Sequence, residues 1–244
     1  MIQTERVPTG VVGLDMILRG GFPKGRSVLI TGDPGTGKTI FALQFLHEGL
    51  KRGEKGMFVT ADEKPLDLME QAASLGWDFE LCVENQQLAI LDTAGHISAF
   101  AGAERPIDVR KTVDELGRFA QRFGAHRLVL DPASPFMLLG ESAARIQDQT
   151  RMFIQQLRTS LPTTNLLTSY AVPRDGERSM HGIEEYLVAG AIVLELIWKD
   201  GGFARSLIVE KMRSTEIKPH QLEFEIVTGE GIVLPGCGKI AKHG

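Results

Sequence analysis

The most informative stretch of this sequence is Gly32-Asp33-Pro34-Gly35-Thr36-Gly37-Lys38-Thr39. It matches the template G-x-x-x-x-G-K-[ST] at every fixed position. An apolar run at 27–31 leads into it and a helical pattern at 40–50 leads out, which predicts a loop between a buried strand and a helix. Glycines let the backbone N–H groups turn toward one anion, and the helix N-terminus adds the positive end of its dipole. The stretch therefore predicts a site for a nucleoside triphosphate.

Two side chains of this loop are expected to carry the chemistry. Lys38 is predicted to reach the β- and γ-phosphates, and the Thr39 hydroxyl is predicted to ligate magnesium. All eight residues from Gly32 to Thr39 are candidate nucleotide contacts. The alternative is a glycine-rich turn that binds nothing, which a complete template in this context disfavours.

The pattern along the chain predicts an α/β fold. Short apolar runs, typical of strands buried in a parallel sheet, occur at 26–31, 56–61, 87–92, 126–131 and 164–170. Amphipathic stretches predict helices at 38–52, 65–75, 108–123 and 146–160. Strand-like segments separated by turns follow at 191–196, 205–212, 221–227 and 231–234. We expect a mostly parallel, twisted, doubly wound sheet with helices on both faces and a C-terminal antiparallel extension.

Length and composition favour one soluble domain. The 244 residues suffice for a single large core, which we place at 1–235, with a short flexible tail at 236–244. Cys82 and Cys237 lie far apart without metal-ligand spacing, so we expect neither a zinc site nor a disulfide. The formal net charge of -4 argues against general attraction to nucleic acid or anionic membrane. The N-terminus has no apolar signal core, and we expect a cytoplasmic protein without a membrane segment.

Acidic residues follow several of the predicted strands. Asp131 ends the apolar run about ninety residues beyond the loop, and it is the candidate for the magnesium shell. Asp92 also ends an apolar run and is its rival. Asp62 and Glu63 follow another strand at the same edge of the sheet and are candidates for orienting or activating the attacking water. Alternatively, these two carboxylates only favour the N-terminus of the helix predicted at 65–75.

Further motifs, in order along the chain, resemble the KaiC-like ATPases, a branch of the RecA superfamily. They are Thr9-Gly10, Gly13-Leu14-Asp15, Gly20-Gly21-Phe22-Pro23-Lys24-Gly25, Phe58-Val59-Thr60-Ala61-Asp62-Glu63-Lys64-Pro65, Ser74-Leu75-Gly76-Trp77-Asp78, Gly182-Ile183-Glu184-Glu185-Tyr186 and Lys211-Met212-Arg213-Ser214-Thr215. The resemblance spans nearly the whole chain and identifies a single-domain member. It implies a RecA-like P-loop NTPase core, assembled as a homohexameric ring that binds ATP and Mg²⁺ between neighbouring subunits.

The resemblance also assigns roles by position. Asp62 and Glu63 match the catalytic acid pair, and Asp131 matches the aspartate of the magnesium strand. Ser74 matches a position that contacts nucleotide. The run Lys211-Met212-Arg213 matches residues that reach the nucleotide of the neighbouring subunit, where a cation stabilises transition-state charge. Without the resemblance, Lys211 and Arg213 would be interpreted as a solvated strand edge.

The sequence also departs from the family pattern. The family usually has two glutamates where this chain has Asp62 and Glu63, and an aspartate is one methylene shorter. Glu63 is then the working base, or turnover is slow. Ile217 replaces a histidine that clock proteins carry near the nucleotide. The stretch 184–186 has no neighbouring Ser/Thr pair, so we predict no clock-type autophosphorylation.

Three functions remain open from the sequence. The leading hypothesis is a ring ATPase with slow hydrolysis, a regulatory task and an unknown protein partner. A nucleotide-gated scaffold with little hydrolysis is the first alternative. The second is a RecA-like nucleic-acid-dependent ATPase or recombinase, which needs a basic loop. The candidate loops at 136–148 and 172–185 mix both charge signs, which disfavours nucleic acid.

Overall fold

A computed structural model describes residues 4–93, 108–137, 142–170, 187–219 and 221–235. The strands are β1 Arg6–Val7, β2 Phe22–Pro23, β3 Ser27–Gly32, β4 Lys55–Thr60, β5 Leu88–Asp92, β6 Ala125–Asp131, β7 Thr164–Tyr170, β8 Gly190–Lys199, β9 Gly202–Met212, β10 Gln221–Val227 and β11 Gly231–Val233. The helices are α1 Val12–Ile17, α2 Lys38–Lys51, α3 Pro65–Ser74, α4 Phe79–Glu84, α5 Val109–Phe123, α6 Ser134–Met137 and α7 Ala143–Ser160.

Nine of the described strands form one mixed sheet in the order β11-β10-β9-β8-β3-β7-β6-β4-β5. The six strands from β8 to β5 in this order run parallel to their neighbours. The pairs β8–β9, β9–β10 and β10–β11 are antiparallel. The short strands β1 and β2 form a separate antiparallel pair. The α/β prediction with a mostly parallel sheet and a C-terminal antiparallel extension is confirmed.

Each face of the sheet has its own apolar core. All six residues of β3 are buried, as expected for a central parallel strand covered on both sides. One core joins the sheet to α2 and α3, and the other joins it to α5 and α7. Helix α5 shows why these segments become helices, since Asp108 caps its first turn by accepting a hydrogen bond from the Lys111 N–H and Gly124 ends it in a left-handed conformation.

Two buried polar side chains hold α2, the helix that follows the glycine-rich loop. Gln44 donates to the carbonyls of Gly10 and Ile232 over 2.9 and 3.2 Å, and it accepts from the Ile232 N–H. Arg127 of β6 donates to the carbonyl of Phe45 over 2.8 Å. Such bonds offset the cost of burying these polar groups. They fix α2, and therefore the loop at its N-terminus, relative to β6, to β11 and to the segment around Gly10.

The structure adds to the predicted elements at several places. Helix α4 was not predicted, and Asp78 caps it by accepting from the Leu81 N–H over 2.9 Å. The β8–β9 hairpin is longer than predicted because its pairing continues to a turn at Asp200 and Gly201, both in the left-handed region. The motif at 182–186, the loop at 172–185, the tail at 236–244 and part of the loop at 136–148 lie outside the described residues. No helix in the described ranges is long and apolar enough to cross a membrane.

Candidate functional site

A pocket of about 360 Å³ lies at the carboxyl ends of the central parallel strands. The register brings these ends together, because Gly32 pairs with Tyr170 and Thr60 pairs with Asp131. This edge is where ligands bind in open parallel sheets. The lining residues are Pro34, Gly35, Gly37, Lys38, Thr39, Ile40, Asp62, Glu63, Gln71, Asp131, Pro132, Tyr170, Arg205 and Ile226.

The glycine-rich stretch forms a tight loop directly before α2. Gly37 caps the helix with φ 108°, and a Cβ there would come within 3.3 Å of Ile226. A Cβ on Gly32 would come within 2.3 Å of the Leu194 carbonyl oxygen of β8. Only glycine fits these two positions. Within the loop, the Thr36 hydroxyl donates to the Asp33 carbonyl over 2.8 Å. The result is a backbone turn that surrounds the N-terminus of α2, the geometry of an anion cradle.

Lys38 is buried inside this loop. Its Nζ donates to the carbonyls of Gly32 and Asp33 over 2.7 and 3.0 Å. The same ammonium lies 5.1 Å from the ring centre of Tyr170. Burial lowers the pKa of Lys38, while the charges of Asp131 and Asp33 act in the opposite direction. The side chain of Lys38 therefore lines the pocket while its ammonium is held by the carbonyls of its own loop.

Asp131 and Thr39 meet on the other side of Lys38. Asp131 accepts hydrogen bonds from Thr168 of the neighbouring strand β7 and from Thr39 of the loop. Burial raises the pKa of this carboxyl, and these two hydrogen bonds and the charge of Lys38 oppose the rise. Asp92 ends β5 at the edge of the sheet and does not line the pocket. Between the two aspartates proposed for the magnesium shell, the structure thus brings Asp131 to Thr39.

The acidic pair at the end of β4 is held by two residues that the sequence did not single out. Tyr170 donates its hydroxyl proton to Asp62 Oδ2 over 2.8 Å, and this bond is the main cause that raises the pKa of Tyr170 to about 12. Gln71 of α3 donates from its amide to Glu63. Burial, and then the charge of Asp131, raise the pKa of Glu63, against the Gln71 hydrogen bond. The two carboxylates therefore have different hydrogen-bond donors, the Tyr170 phenol for Asp62 and the Gln71 amide for Glu63.

Arg205 is a third pocket residue that sequence reasoning missed. It lies on β9, and its Nη2 is 3.5 Å from the Gly35 carbonyl oxygen. Its Nε is buried without a hydrogen-bond partner among the described residues. An orphaned guanidinium donor beside the loop fits a site for an anion. The sequence gives no direct signal for it, since its position follows from β8 pairing with both β3 and β9.

The remaining predicted residues lie outside the pocket. Ser74, at the end of α3, donates to the Gln71 carbonyl over 2.7 Å and is exposed. Met212 is 4% exposed and packs where a Cβ on Gly190 would stand. Arg213 donates its backbone N–H to the Ala189 carbonyl and lines a different cavity at the amino end of β3. Lys211 pairs with Ala191 on β8 near the same end. The structure thus joins Lys38, Thr39, Asp62, Glu63 and Asp131, and it places Lys211 and Arg213 far from them.

The residues of the pocket fit a magnesium nucleotide. No group of three or more His, Cys, Asp and Glu in the described ranges could hold a metal ion alone. Magnesium commonly takes one or two protein oxygens and completes its shell with phosphate oxygens and water. Thr39 and Asp131 supply that kind of donor pair, and the loop and Lys38 supply the donors for phosphate.

Comparison with known proteins agrees with this geometry. The family model for the KaiC ATPase matches residues 7–236. A UPF0273 protein from Aeropyrum pernix is 36% identical, over 94% of this chain and 93% of its own length. The circadian clock oscillator protein KaiC of Parasynechococcus marenigrum is 30% identical over 96% of this chain. The aligned region covers 46% of the length of that protein.

A solved structure is similar as well. The crystal structure of a KaiC-like protein from Pyrococcus horikoshii superposes with a TM-score of 0.79 at 35% identity. The match covers 95% of this chain and 99% of the other. Sequence, fold and pocket thus agree, and this chain belongs to the KaiC-like ATPases of the RecA superfamily.

Proposed function

We propose that this chain binds ATP with Mg²⁺ in the pocket beside the glycine-rich loop and hydrolyses it slowly at the interfaces of a homohexameric ring. The observation that carries the proposal is the convergence of Lys38, Thr39 and Asp131 at one loop in which Gly32 and Gly37 leave no room for a side chain. Membership in an ATPase family supports the hydrolytic step. The task of such a ring is regulatory, acting through a protein partner.

Each pocket residue has a role in this reaction. The loop N–H groups and Lys38 bind the phosphates, and Thr39 with Asp131 hold the metal. Magnesium, when bound, neutralises charge on the phosphate oxygens. Glu63 is the general base, because burial raises its pKa and so makes its carboxylate a stronger proton acceptor, and the Gln71 hydrogen bond fixes its orientation.

Asp62 has a different role from Glu63. Its carboxylate accepts a hydrogen bond from the Tyr170 hydroxyl, so one of its oxygens is already engaged. The Tyr170 ring also faces the Lys38 ammonium. Tyr170 therefore positions Asp62 relative to the phosphate-binding lysine.

The second half of the site comes from the neighbouring copy. Lys211 and Arg213 lie at the amino end of the sheet, away from the pocket of their own chain. A cation that reaches the neighbour's γ-phosphate stabilises the charge of the transition state and makes hydrolysis depend on assembly. ATP is the proposed nucleotide because the matching family is an ATPase family.

A scaffold that binds ATP and hydrolyses little is the second candidate. The observation in its favour is the hydrogen bond between Tyr170 and Asp62, which occupies an oxygen of the shorter carboxylate. In that case, ATP holds the ring together and exposes a partner surface without turnover.

Phosphate release and particle mass test these proposals together. Purified protein is incubated with Mg²⁺ and ATP, with Lys38→Ala as the control, and mass is measured with and without nucleotide. We expect phosphate release above that of Lys38→Ala, and a hexamer that forms only with nucleotide. Assembly without release favours the scaffold, and a monomer under every condition contradicts the ring. Severalfold stimulation by single-stranded DNA, with steep salt dependence, favours the nucleic-acid-dependent alternative.

A further inference from the structure

Helices α3 and α4 enclose an open groove on the flank of α3 that faces away from the nucleotide pocket. We call it the α3–α4 groove, with a volume of about 370 Å³. Its lining consists of Leu66, Met69, Glu70, Ala73, Gly76, Trp77, Asp78, Phe79 and Glu80. The other flank of α3 carries Gln71, which lines the nucleotide pocket. The two cavities therefore lie on opposite sides of one helix.

The floor of the groove is formed by two buried aromatic rings. Trp77 and Phe79 are 3% and 2% exposed, with ring centres 6.5 Å apart. The His47 ring of α2 stacks on Trp77 at 4.7 Å and supports the floor from below. Leu66 on the wall is 64% exposed, a large apolar side chain without cover among the described residues. Preformed apolar floors of this kind bind partners with little ordering cost.

The chain segment that forms the groove is acidic. Residues 65–86 contain five Asp and Glu and no Lys, Arg or His, while the whole chain has a formal net charge of -4. This one segment therefore carries more net negative charge than the entire molecule. Three of its exposed acids, Glu70, Asp78 and Glu80, line the groove itself. Negative charge next to an apolar floor favours an apolar partner that is basic at its edges.

We propose that the α3–α4 groove docks a basic amphipathic helix of a protein partner. The apolar stripe of such a helix would cover Leu66, Met69 and Ala73, and its Lys or Arg residues would reach the three lining acids. The same acids repel nucleic acid and anionic membrane. They also oppose a symmetric contact between two copies of this chain, since that contact brings identical acidic surfaces together. The docking does not depend on nucleotide hydrolysis.

A designed peptide tests the chemistry of the groove. The probe is a fluorescent 14-residue helix, LKKLLKLLKKLLKL, and its binding to the full chain is followed by fluorescence anisotropy at physiological salt. The control peptides are a scrambled sequence of the same composition and a counterpart with every Lys replaced by Glu. The protein variants are Leu66→Ser and the double change Glu70→Lys with Glu80→Lys, all at exposed positions. Glu115→Lys, on the exposed surface of α5, is the matched charge control.

We expect saturable binding of the basic helix, weakened about tenfold by each groove variant and unchanged by Glu115→Lys. Both control peptides should bind at least about tenfold more weakly. Absence of saturable binding would overturn the proposal. Equal binding of the scrambled peptide, or equal loss in Glu115→Lys, would also overturn it, because the attraction would then be diffuse. If Leu66→Ser instead abolishes concentration-dependent self-association and leaves peptide binding intact, the groove is an interface between copies and the proposal is wrong.

Discussion

The two ends of β9 each carry an arginine, and these arginines differ in what surrounds them. Arg205, near the start of the strand, lies against Gly35 of the glycine-rich loop and lines the nucleotide pocket. Arg213, one residue past the end of the strand, lines a cavity at the amino end of β3. Eight extended residues span about 26 Å. Within one copy, the two arginines therefore line different cavities.

Sheet direction explains the difference between the two ends. The carboxyl ends of parallel strands bring Lys38, Asp131 and the acidic pair together without any other chain. The amino end holds Lys211 and Arg213, whereas the glycine-rich loop of residues 32–39 lies at the opposite end. On the proposed function, one end of the sheet binds the nucleotide and the other end completes the site of the next copy. Strand β9 then links successive sites around a ring.

The largest effect should come from Arg213→Ala, which tests the amino end. We expect ATP turnover to fall about 100-fold or more, because a finger cation acts on the transition state, while nucleotide affinity changes little. Mixing Arg213→Ala with Lys38→Ala sharpens the test. An interface that combines the intact loop of the first variant with the intact finger of the second should restore part of the activity. Two inactive variants that stay inactive when mixed, although mass measurements show joint rings, would contradict a finger supplied by the neighbour.

Arg205→Ala should have the next largest effect, and the quantity that changes should be nucleotide affinity. This arginine lies in the pocket of its own chain, so we expect nucleotide affinity to fall about tenfold, as for the loss of one hydrogen bond to a charged group. Titration of a fluorescent ATP analogue measures the affinity. Mixing with Lys38→Ala should not restore the affinity of the Arg205→Ala pocket. Unchanged affinity with reduced turnover would mean that both ends of β9 act on neighbours.

Tyr170→Phe should have a smaller effect on turnover than either arginine. The ring that faces Lys38 is kept and only the bond to Asp62 is lost, so we expect kcat to fall about fivefold with KM nearly unchanged. A double-mutant cycle with Asp62→Asn tests whether the Tyr170 hydroxyl acts through Asp62. If Tyr170 acts through Asp62, the double variant should be little worse than Asp62→Asn alone. Fully additive losses would show that the hydroxyl acts independently of that carboxylate.

Much of the fold and part of the site could be predicted from the sequence because their signals are local. The buried strands and Gly32 to Thr39 are contiguous patterns, and Asp131, a candidate because it ends an apolar strand, lies beside Thr39. Arg205 and Tyr170 carry no such signal. Each enters the pocket through the pairing of distant strands, which apolar periodicity alone does not specify. The assignment of Arg213 remains a prediction, because it depends on contacts between copies.

The smallest expected effect is a shift in the pH profile on removal of the Gln71 amide. The pKa of Glu63 is raised, first by burial and then by the charge of Asp131, and the Gln71 hydrogen bond acts in the opposite direction. A base must be ionised, so the rate falls as the pH drops through this raised pKa. Gln71→Leu removes the bond that favours the carboxylate, so the pKa should rise further and the acid limb of kcat/KM should move to higher pH. Gln156→Leu, which removes an amide–carboxylate bond to Asp114 far from the pocket, should leave the limb in place. A limb that moves equally in both variants, or in neither, would mean that Glu63 is not the base, and the carboxylate held by Tyr170 would then take that role.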